Sequence, residues 1–193
     1  GFMKKIEGLR CVECAAELAL AEAKYVCPRC DGNLSVAYDY KSLRKSLTRK
    51  SLKADPERGL WRYLDILPLS GRAGIPPVAV GWTPLYRARA LGAGLGLKSL
   101  YLKDEGRNPS ASLKDRASAV VAARAFQTHE KTVAGASTGN AAASLACMMA
   151  QRDAKPVIFV PRTAPAAKLA QLLIYGAVDL SVDGTYDQAF AQC

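Results

Sequence analysis

From residue 99 onward, short β-branched apolar runs alternate with longer segments whose apolar residues recur at helical spacing. This alternation predicts four strand–helix units in succession. Strands that alternate with helices favour a parallel sheet with right-handed crossovers, so the fold class is α/β. The strands are expected at 100–103, 131–134, 156–160 and 178–182, and the helices at 113–127, 140–151, 166–175 and from 187 onward.

Residues 1–37 show a different pattern, which indicates a compact module organised by cysteines. Strand-like edges around Arg10 and around 24–26 each lead into a Cys-x2-Cys turn, and an alternating run follows at 34–38. The chain starts without the long apolar core of a secretory signal, so paired cysteines favour zinc over disulfides. Four thiolates complete a tetrahedral structural zinc site; thiols without metal, or oxidised thiols, are the alternative. The candidate ligands are Cys11, Cys14, Cys27 and Cys30.

The net charge of +10, from 27 basic and 17 acidic residues, suggests anionic partners such as nucleic acid, phosphorylated metabolites or a phosphate-bearing cofactor. Six basic residues and no acidic one lie in a stretch with helical spacing, which we interpret as a solvated helix face. A short amphipathic helix at 61–68 and an irregular connector at 69–82 follow. The six are Lys41, Arg44, Lys45, Arg49, Lys50 and Lys53.

No run approaches 18 uninterrupted apolar residues, so no membrane span is expected and we predict a cytoplasmic protein. A glycine run at 92–96 is similar to a dinucleotide fingerprint, but its third glycine falls one residue early and it precedes a strand instead of following one. His129, the only histidine, lies in a polar turn and is expected to be exposed, whereas Cys147 is expected to be a small buried residue of a helix.

The loop at 108–116 is the first candidate for chemistry, because ligands of parallel sheets bind where strands lead into helices. Ser112 is a natural N-cap, which places Lys114 in the first helical turn, where a cation opposes the helix dipole. Lys114 is therefore either a solvated side chain or an amine of the kind that forms Schiff bases, and its position alone favours the first.

The next loop, 135–140, offers groups that suit a carboxylate or a phosphate. Ser137 and Thr138 supply hydroxyls, Asn140 supplies an amide, and Gly139 lets the backbone approach closely. Free N–H groups at a helix N-terminus would add to an anion site. A routine helix cap is an equally good interpretation of these residues taken alone.

Together, these segments resemble the fold-type II pyridoxal-phosphate enzymes, and threonine synthases in particular. The Gly-Trp-Thr-Pro-Leu run at 81–85 is similar to the opening motif of that fold type. Three further runs together resemble the cofactor-lysine motif, namely Lys-Asp-Glu at 103–105, Asn-Pro at 108–109 and Ser-Leu-Lys-Asp-Arg at 112–116. Ser-Thr-Gly-Asn-Ala-Ala at 137–142 resembles the loop for cofactor and substrate carboxylate.

The resemblance covers most of residues 10–190 in the right order, and two positions depart from it. Ala111 and Leu113 stand where glycine and phenylalanine are commoner in the cofactor-lysine motif. The implied architecture is a zinc-ribbon-like module followed by a three-layer parallel-sheet α/β domain of the tryptophan synthase β-like type. On this basis the chain divides into 1–37, a basic helical segment and connector at 38–80, and the first part of the cofactor domain at 81–193.

The resemblance also implies an activity, the conversion of O-phospho-L-homoserine and water into L-threonine and phosphate. Lys114 would hold pyridoxal 5′-phosphate covalently and then shuttle protons, and Asn140 would meet the cofactor's ring hydroxyl. Ser137, Thr138 and Gly139 would hold the substrate carboxylate. The whole enzyme is expected to be a homodimer.

Three further expectations follow from the resemblance and its rivals. A sister enzyme such as a cysteate synthase or an amino-acid ammonia-lyase would share Lys114 and Asn140, and a basic zinc-ribbon protein that binds nucleic acid is a remote alternative. The family's glycine-rich phosphate loop, and the residue that meets the pyridine nitrogen, are expected to lie beyond residue 193. The chain by itself is therefore expected to be inactive.

Overall fold

The computed structural model describes residues 5–22, 25–150 and 154–193. The protein divides into two compact units, Gly1–Arg72 and Ala73–Cys193. None of the helices within the described ranges is long and apolar enough to span a membrane.

The first unit begins with a three-stranded antiparallel sheet in the order β2-β1-β3. Its strands are β1 (Ile6–Cys11), β2 (Glu17–Leu18) and β3 (Leu34–Tyr38). The strands predicted around Arg10 and at 34–38 are confirmed, but the one predicted at 24–26 is wrong for Tyr25 and Val26, and residue 24 lies outside the described ranges. Tyr25 is 89% exposed and buries no face, whereas Leu18 of β2 packs into the small core and pairs with β1.

The basic stretch forms two helices, α1 (Tyr40–Ser46) and α2 (Arg49–Ala54), where the spacing predicts one. Thr48 causes the break, because its extended backbone and its capping box with Ser51 start a new helix. All six basic residues are exposed, in agreement with a solvated helix face. The short helix predicted at 61–68 is a 3-10 helix over Leu60–Ile66, and it buries Trp61 and Leu64.

The second unit contains a parallel sheet in the order β6-β7-β8, which confirms the α/β class. Before the sheet lie β4 (Leu85–Arg87), α3 (Arg89–Gly94), β5 (Tyr101–Lys103) and α4 (Asp115–Gln127). The sheet and its connections comprise β6 (Thr132–Ala136), α5 (Asn140–Met149), β7 (Lys155–Pro161), α6 (Ala166–Ile174), β8 (Val178–Val182) and α7 (Tyr186–Gln192). The helix predicted to reach residue 151 ends at Met149, and residue 151 itself is outside the described ranges.

The core of this unit lies between the central strand β7 and the small side chains of α5. Ile158 and Val160 of β7 are almost fully buried. The alanine-rich face of α5 lets that helix pack closely on them, and Leu172 of α6 closes the cluster. The alanines of α5 in this cluster are Ala142, Ala143 and Ala146, and Ala177, which directly precedes β8, also belongs to it.

One predicted strand does not join the parallel sheet. β5 pairs antiparallel with β4, so among the described residues the parallel sheet has three strands and not four. The side chains of β5 explain this, because Tyr101 and Leu102 are about half exposed, while strands of parallel sheets are buried on both faces.

Candidate functional site

The carboxylate of Glu105 is the hub of a hydrogen-bond network before α4. Arg116 donates to both of its oxygens, from Nη2 to Oε1 at 2.7 Å and from Nε to Oε2 at 2.8 Å. The Thr83 hydroxyl donates to Oε1 at 2.7 Å, and Asn108 Nδ2 donates to Oε2 at 2.9 Å. The hydrogen bonds from Arg116 outweigh the cost of burial and, with those from Thr83 and Asn108, lower the pKa of Glu105 to about 2.

This network joins segments that are distant in sequence. The backbone N–H of Gly81 donates to Asn108 Oδ1 at 2.9 Å, and the Lys103 ammonium donates to the Thr83 carbonyl. Four runs that are separate in sequence thus converge on the ion pair of Glu105 with Arg116, namely 81–85, 103–105, 108–109 and 112–116.

Lys114 lies directly before α4, with its backbone fixed from both sides. The Ser112 hydroxyl accepts from the Lys114 N–H at 3.1 Å. Asp115, which is 0% exposed, accepts from the Ser110 N–H at 2.7 Å and from the Ser110 hydroxyl. A buried carboxylate at the first helical position also complements the positive end of the helix dipole. The Lys114 side chain itself is exposed.

The structure corrects the expected start of this helix. Ser112 does not cap α4, and Lys114 occupies the N-cap position with φ −64° and ψ −22°. The tight turn that precedes the helix accounts for the shift, because Asp115 N–H donates to the Ser112 carbonyl and Arg116 N–H donates to the Leu113 carbonyl, both at 3.3 Å.

The second candidate loop connects β6 to α5. Gly139 is the N-cap of α5 and makes no side-chain cap hydrogen bond, while its N–H donates to the Ser137 hydroxyl at 3.1 Å. Ser137, Thr138 and Gly139 are half-buried, and Asn140 is exposed. A Cβ placed on Gly139 would meet only Ser137 Oγ, at 3.9 Å, so the backbone is open to a bound group.

The two loops end at helices that pack against each other, α4 and α5. Burial raises the pKa of the Cys147 thiol on α5, and the negative charge of Asp115 raises it further. Cys147 is half-buried, less so than its sequence context predicts, and His129 is exposed as expected.

The four cysteines of the first unit form a cluster whose sulfur atoms all lie within 4.8 Å of one another. The sulfurs of Cys11 and Cys30 are 3.5 Å apart, and those of Cys14 and Cys27 are 3.7 Å apart. Tetrahedral zinc with bonds of about 2.3 Å to sulfur has edges of about 3.8 Å. All four are free thiols, so the geometry fits a metal ion and not a pair of disulfides.

The acidities of these thiols differ. The Cys14 backbone N–H is the main cause that lowers the pKa of Cys11 to about 7. For Cys30, the Gly32 N–H lowers the pKa, but hydrogen bonds with the other sulfurs outweigh it and the pKa rises to about 12. Four thiolates this close repel one another, and a bound cation would remove that repulsion.

The sequence does not reveal that Glu105 and Arg116 pair with each other and thereby position the first loop. Glu105 and Arg116 are 11 positions apart, and no local periodicity links them. Both residues lie in runs that resemble family motifs, at 103–105 and 112–116, but neither run indicates that the two residues pair.

We predict that Glu105→Gln lowers the free energy of unfolding at pH 7 by about 2 kcal/mol, because Arg116 loses its charged partner. The folded-state pKa of about 2 lies below the ordinary value of 4.5, so the carboxylate stabilises the fold above pH 4.5 and this contribution disappears as the pH falls toward 2. Denaturant unfolding at pH 7, 4 and 3 measures the difference between the variant and the unsubstituted protein.

The control for Glu105→Gln is Asp183→Asn, which removes an exposed ion pair to Arg162 at 3.6 Å and should change stability by less than about 0.5 kcal/mol. A difference for Glu105→Gln that stays constant from pH 7 to pH 3 would contradict the assigned pairing.

Comparison with known proteins places these motifs in a family. A sequence profile described as "Pyridoxal-phosphate dependent enzyme" matches residues 77–193. The threonine synthase of Methanocaldococcus jannaschii is 39% identical over 181 residues, which cover 93% of this chain and 44% of that protein. The threonine synthase of Methanosarcina acetivorans is 40% identical over 186 residues, which cover 95% and 44%.

Solved structures agree on the fold. Maize serine racemase matches with a TM-score of 0.52 and 25% identity over 57% of this chain and 34% of that one. Threonine deaminase isoform 2 from Solanum lycopersicum matches with a TM-score of 0.52 and 27% identity over 57% and 32%. The chain spans less than half the length of the threonine synthases that it matches. Because the profile matches more than half of the sequence, the chain belongs to the pyridoxal-phosphate dependent enzyme family.

Proposed function

We propose that this chain carries the cofactor lysine and the carboxylate-binding loop of a threonine synthase, which converts O-phospho-L-homoserine and water into L-threonine and phosphate. The observation that carries the proposal is the extent of the similarity. Two threonine synthases match 93–95% of the chain, so their similarity includes the cysteine-rich first unit. The structural likeness to the racemase and the deaminase covers 57%.

An amino-acid ammonia-lyase of the same family is the second candidate, favoured by the fold likeness to the tomato threonine deaminase. Such an enzyme would use the same lysine and the same helix-terminal loop. The two candidates differ in what the substrate releases, which is phosphate in the first case and its nitrogen, as ammonia, in the second.

The residues of the two loops fit pyridoxal phosphate. Lys114 offers an exposed primary amine on a fixed backbone, which is the group that an aldehyde needs. Asn140 offers an exposed amide that both donates and accepts hydrogen bonds, and the open backbone at Gly139 leaves room for a ligand. When bound, the cofactor supplies an electron sink for negative charge at the substrate's Cα.

The side chains of this chain would supply binding and proton transfer. Lys114 holds the cofactor, and its amine then accepts and returns protons at Cα and Cβ of the substrate. The hydroxyls of Ser137 and Thr138 hold the substrate carboxylate at the start of α5, where Gly139 leaves room for it to approach the backbone. The ion pair of Glu105 with Arg116 fixes the loop from which Lys114 extends, which limits the positions that the amine can occupy.

We further propose that Cys11, Cys14, Cys27 and Cys30 hold a structural zinc ion. Two of their sulfur separations, 3.5 and 3.7 Å, are close to the edge of a zinc–thiolate tetrahedron, and all the sulfurs lie within 4.8 Å of one another. Four protein ligands leave no open coordination position for chemistry. Cys11 and Cys27 lie in the small core of the first unit, so binding of the metal would stabilise that core directly.

We predict that Lys114 is the lysine that pyridoxal phosphate modifies first. The purified chain is treated with substoichiometric cofactor and cyanoborohydride, and peptide mass spectrometry locates the pyridoxyl group. Lys114→Ala should remove the main modified peptide, whereas Lys168→Ala, at an exposed lysine of α6, should leave it unchanged. Preferential modification of a different lysine in the unsubstituted chain would refute the assignment.

We predict about one zinc per chain by elemental analysis after purification without chelator. Cys27→Ser should lose the metal and lower the melting temperature, because the buried sulfur belongs to both the cluster and the core. Cys193→Ser, at an exposed cysteine outside the cluster, is the control and should keep the metal. A metal content that is equal in both variants would rule out the cluster as the site.

We predict that the 193-residue chain alone does not release phosphate from O-phosphohomoserine. It spans 44% of the relatives' length, and we place the glycine-rich cradle for the cofactor phosphate in the remainder. Loss of three charge-assisted hydrogen bonds, each worth about 1.5–3 kcal/mol, would weaken cofactor binding by about a thousandfold or more. A cofactor titration followed by absorbance, with a phosphate-release assay, tests this; micromolar affinity together with turnover would show that these residues suffice.

A further inference from the structure

A cavity of about 400 Å³ lies between the end of β4, helix α3 and the start of β5. None of its lining residues belongs to the loops around Lys114 or Asn140. Its volume falls within the range of about 300–1,000 Å³ that is usual for small-molecule sites. The function proposed above does not use it.

The wall of this cavity is a fixed turn built by the glycine run at 92–96. At the end of α3, Leu97 N–H donates to the Gly92 carbonyl at 2.8 Å and Gly96 N–H donates to the Ala93 carbonyl at 3.2 Å. Gly96 has φ +69°, so these bonds form a Schellman motif. A Cβ on Gly92 would meet the Leu97 carbonyl at 2.8 Å, so the turn is closely packed against the helix.

Three cations line the cavity. Arg87, Arg89 and Lys98 are all exposed, and Arg87 Nη2 donates to the Lys98 carbonyl at 3.5 Å. The segment 85–103 contains no aspartate or glutamate to neutralise them. A concave surface with charges of one sign concentrates its potential on a bound anion, and the planar fork of arginine matches phosphate.

The rest of the lining is apolar. Ala88, Ala93, Leu97 and Leu100 present aliphatic surface between the cations. Such a lining adds little to the binding of a bare inorganic anion but favours one that carries a hydrophobic body.

We propose that this cavity binds a small phosphate monoester whose organic group is apolar or aromatic, at a site separate from Lys114. Two guanidinium groups and one ammonium group suit a dianion better than a single carboxylate, and the aliphatic wall holds the body of the ligand.

Phenyl phosphate is a suitable probe, because it has no aldehyde to react with lysine. Calorimetric titration of the full chain should show that phenyl phosphate binds at least about tenfold more tightly than inorganic phosphate or phenol. Inorganic phosphate lacks the apolar group, and phenol lacks the dianion. Arg89→Gln and Lys98→Gln should each weaken binding about tenfold. Ala93→Leu, at an exposed helical position, should fill the cavity and abolish binding.

Two variants act as controls. Lys168→Gln removes an equally exposed cation from α6 and should leave the affinity unchanged, and so should Lys114→Ala. Unchanged melting temperatures for Arg89→Gln and Lys98→Gln separate loss of the site from loss of the fold. The proposal is overturned if phenyl phosphate does not bind, if Arg89→Gln and Lys98→Gln leave its affinity unchanged, or if Lys114→Ala abolishes binding.

Discussion

The bidentate contact between Glu105 and Arg116 holds the candidate site together, because two other segments, through Thr83 and Asn108, hydrogen-bond to the same two oxygens. Removal of either charge would leave the other in a half-buried position without this ion pair, and removal of Glu105 would also deprive Thr83 and Asn108 of an acceptor. The penalty for unpaired buried groups exceeds the gain from any single bond in the network. The loops therefore hold their arrangement together or lose it together, and Lys114, two residues from Arg116, takes its position from that arrangement.

The constraint acts on the backbone of Lys114 and leaves its side chain free. Ser112 accepts the lysine's own N–H, and the buried Asp115 ties the next residue to Ser110. A lysine that holds a cofactor and later moves protons needs a fixed origin and a mobile amine. In this structure the helix start that carries Lys114 is rigid and its side chain is exposed, and fixing the backbone lowers the entropy cost of each position that the amine takes.

Local patterns in the sequence predict the features whose cause is local. The β-branched run of β7, the alternating β3 and the strand at Val178–Val182 follow from hydrophobic spacing, and the two loops follow from motifs. Features that depend on distant partners were missed. β2 has two residues and exists because β1 pairs with it, β5 joins β4 because its side chains stay exposed, and the Glu105–Arg116 pair leaves no periodic signal. The helix break at Thr48 has a local cause, the capping box with Ser51, but it lies inside a basic segment whose spacing is continuous and predicts one helix.

The excess of exposed cations and the paired charges near Lys114 lie in different places. The excess of basic residues lies on α1 and α2 of the first unit and around the cavity beside α3, where the cations are exposed. Next to Lys114, by contrast, Glu105 neutralises Arg116 and the buried Asp115 adds a negative charge. Exposed positive surface attracts anions over distances near the Debye length, about 8–10 Å at physiological salt, while paired charges act at hydrogen-bond range. A net charge of +10 is thus compatible with a loop around Lys114 that is nearly neutral and that is fixed by hydrogen bonds from hydroxyl and amide groups to the paired charges.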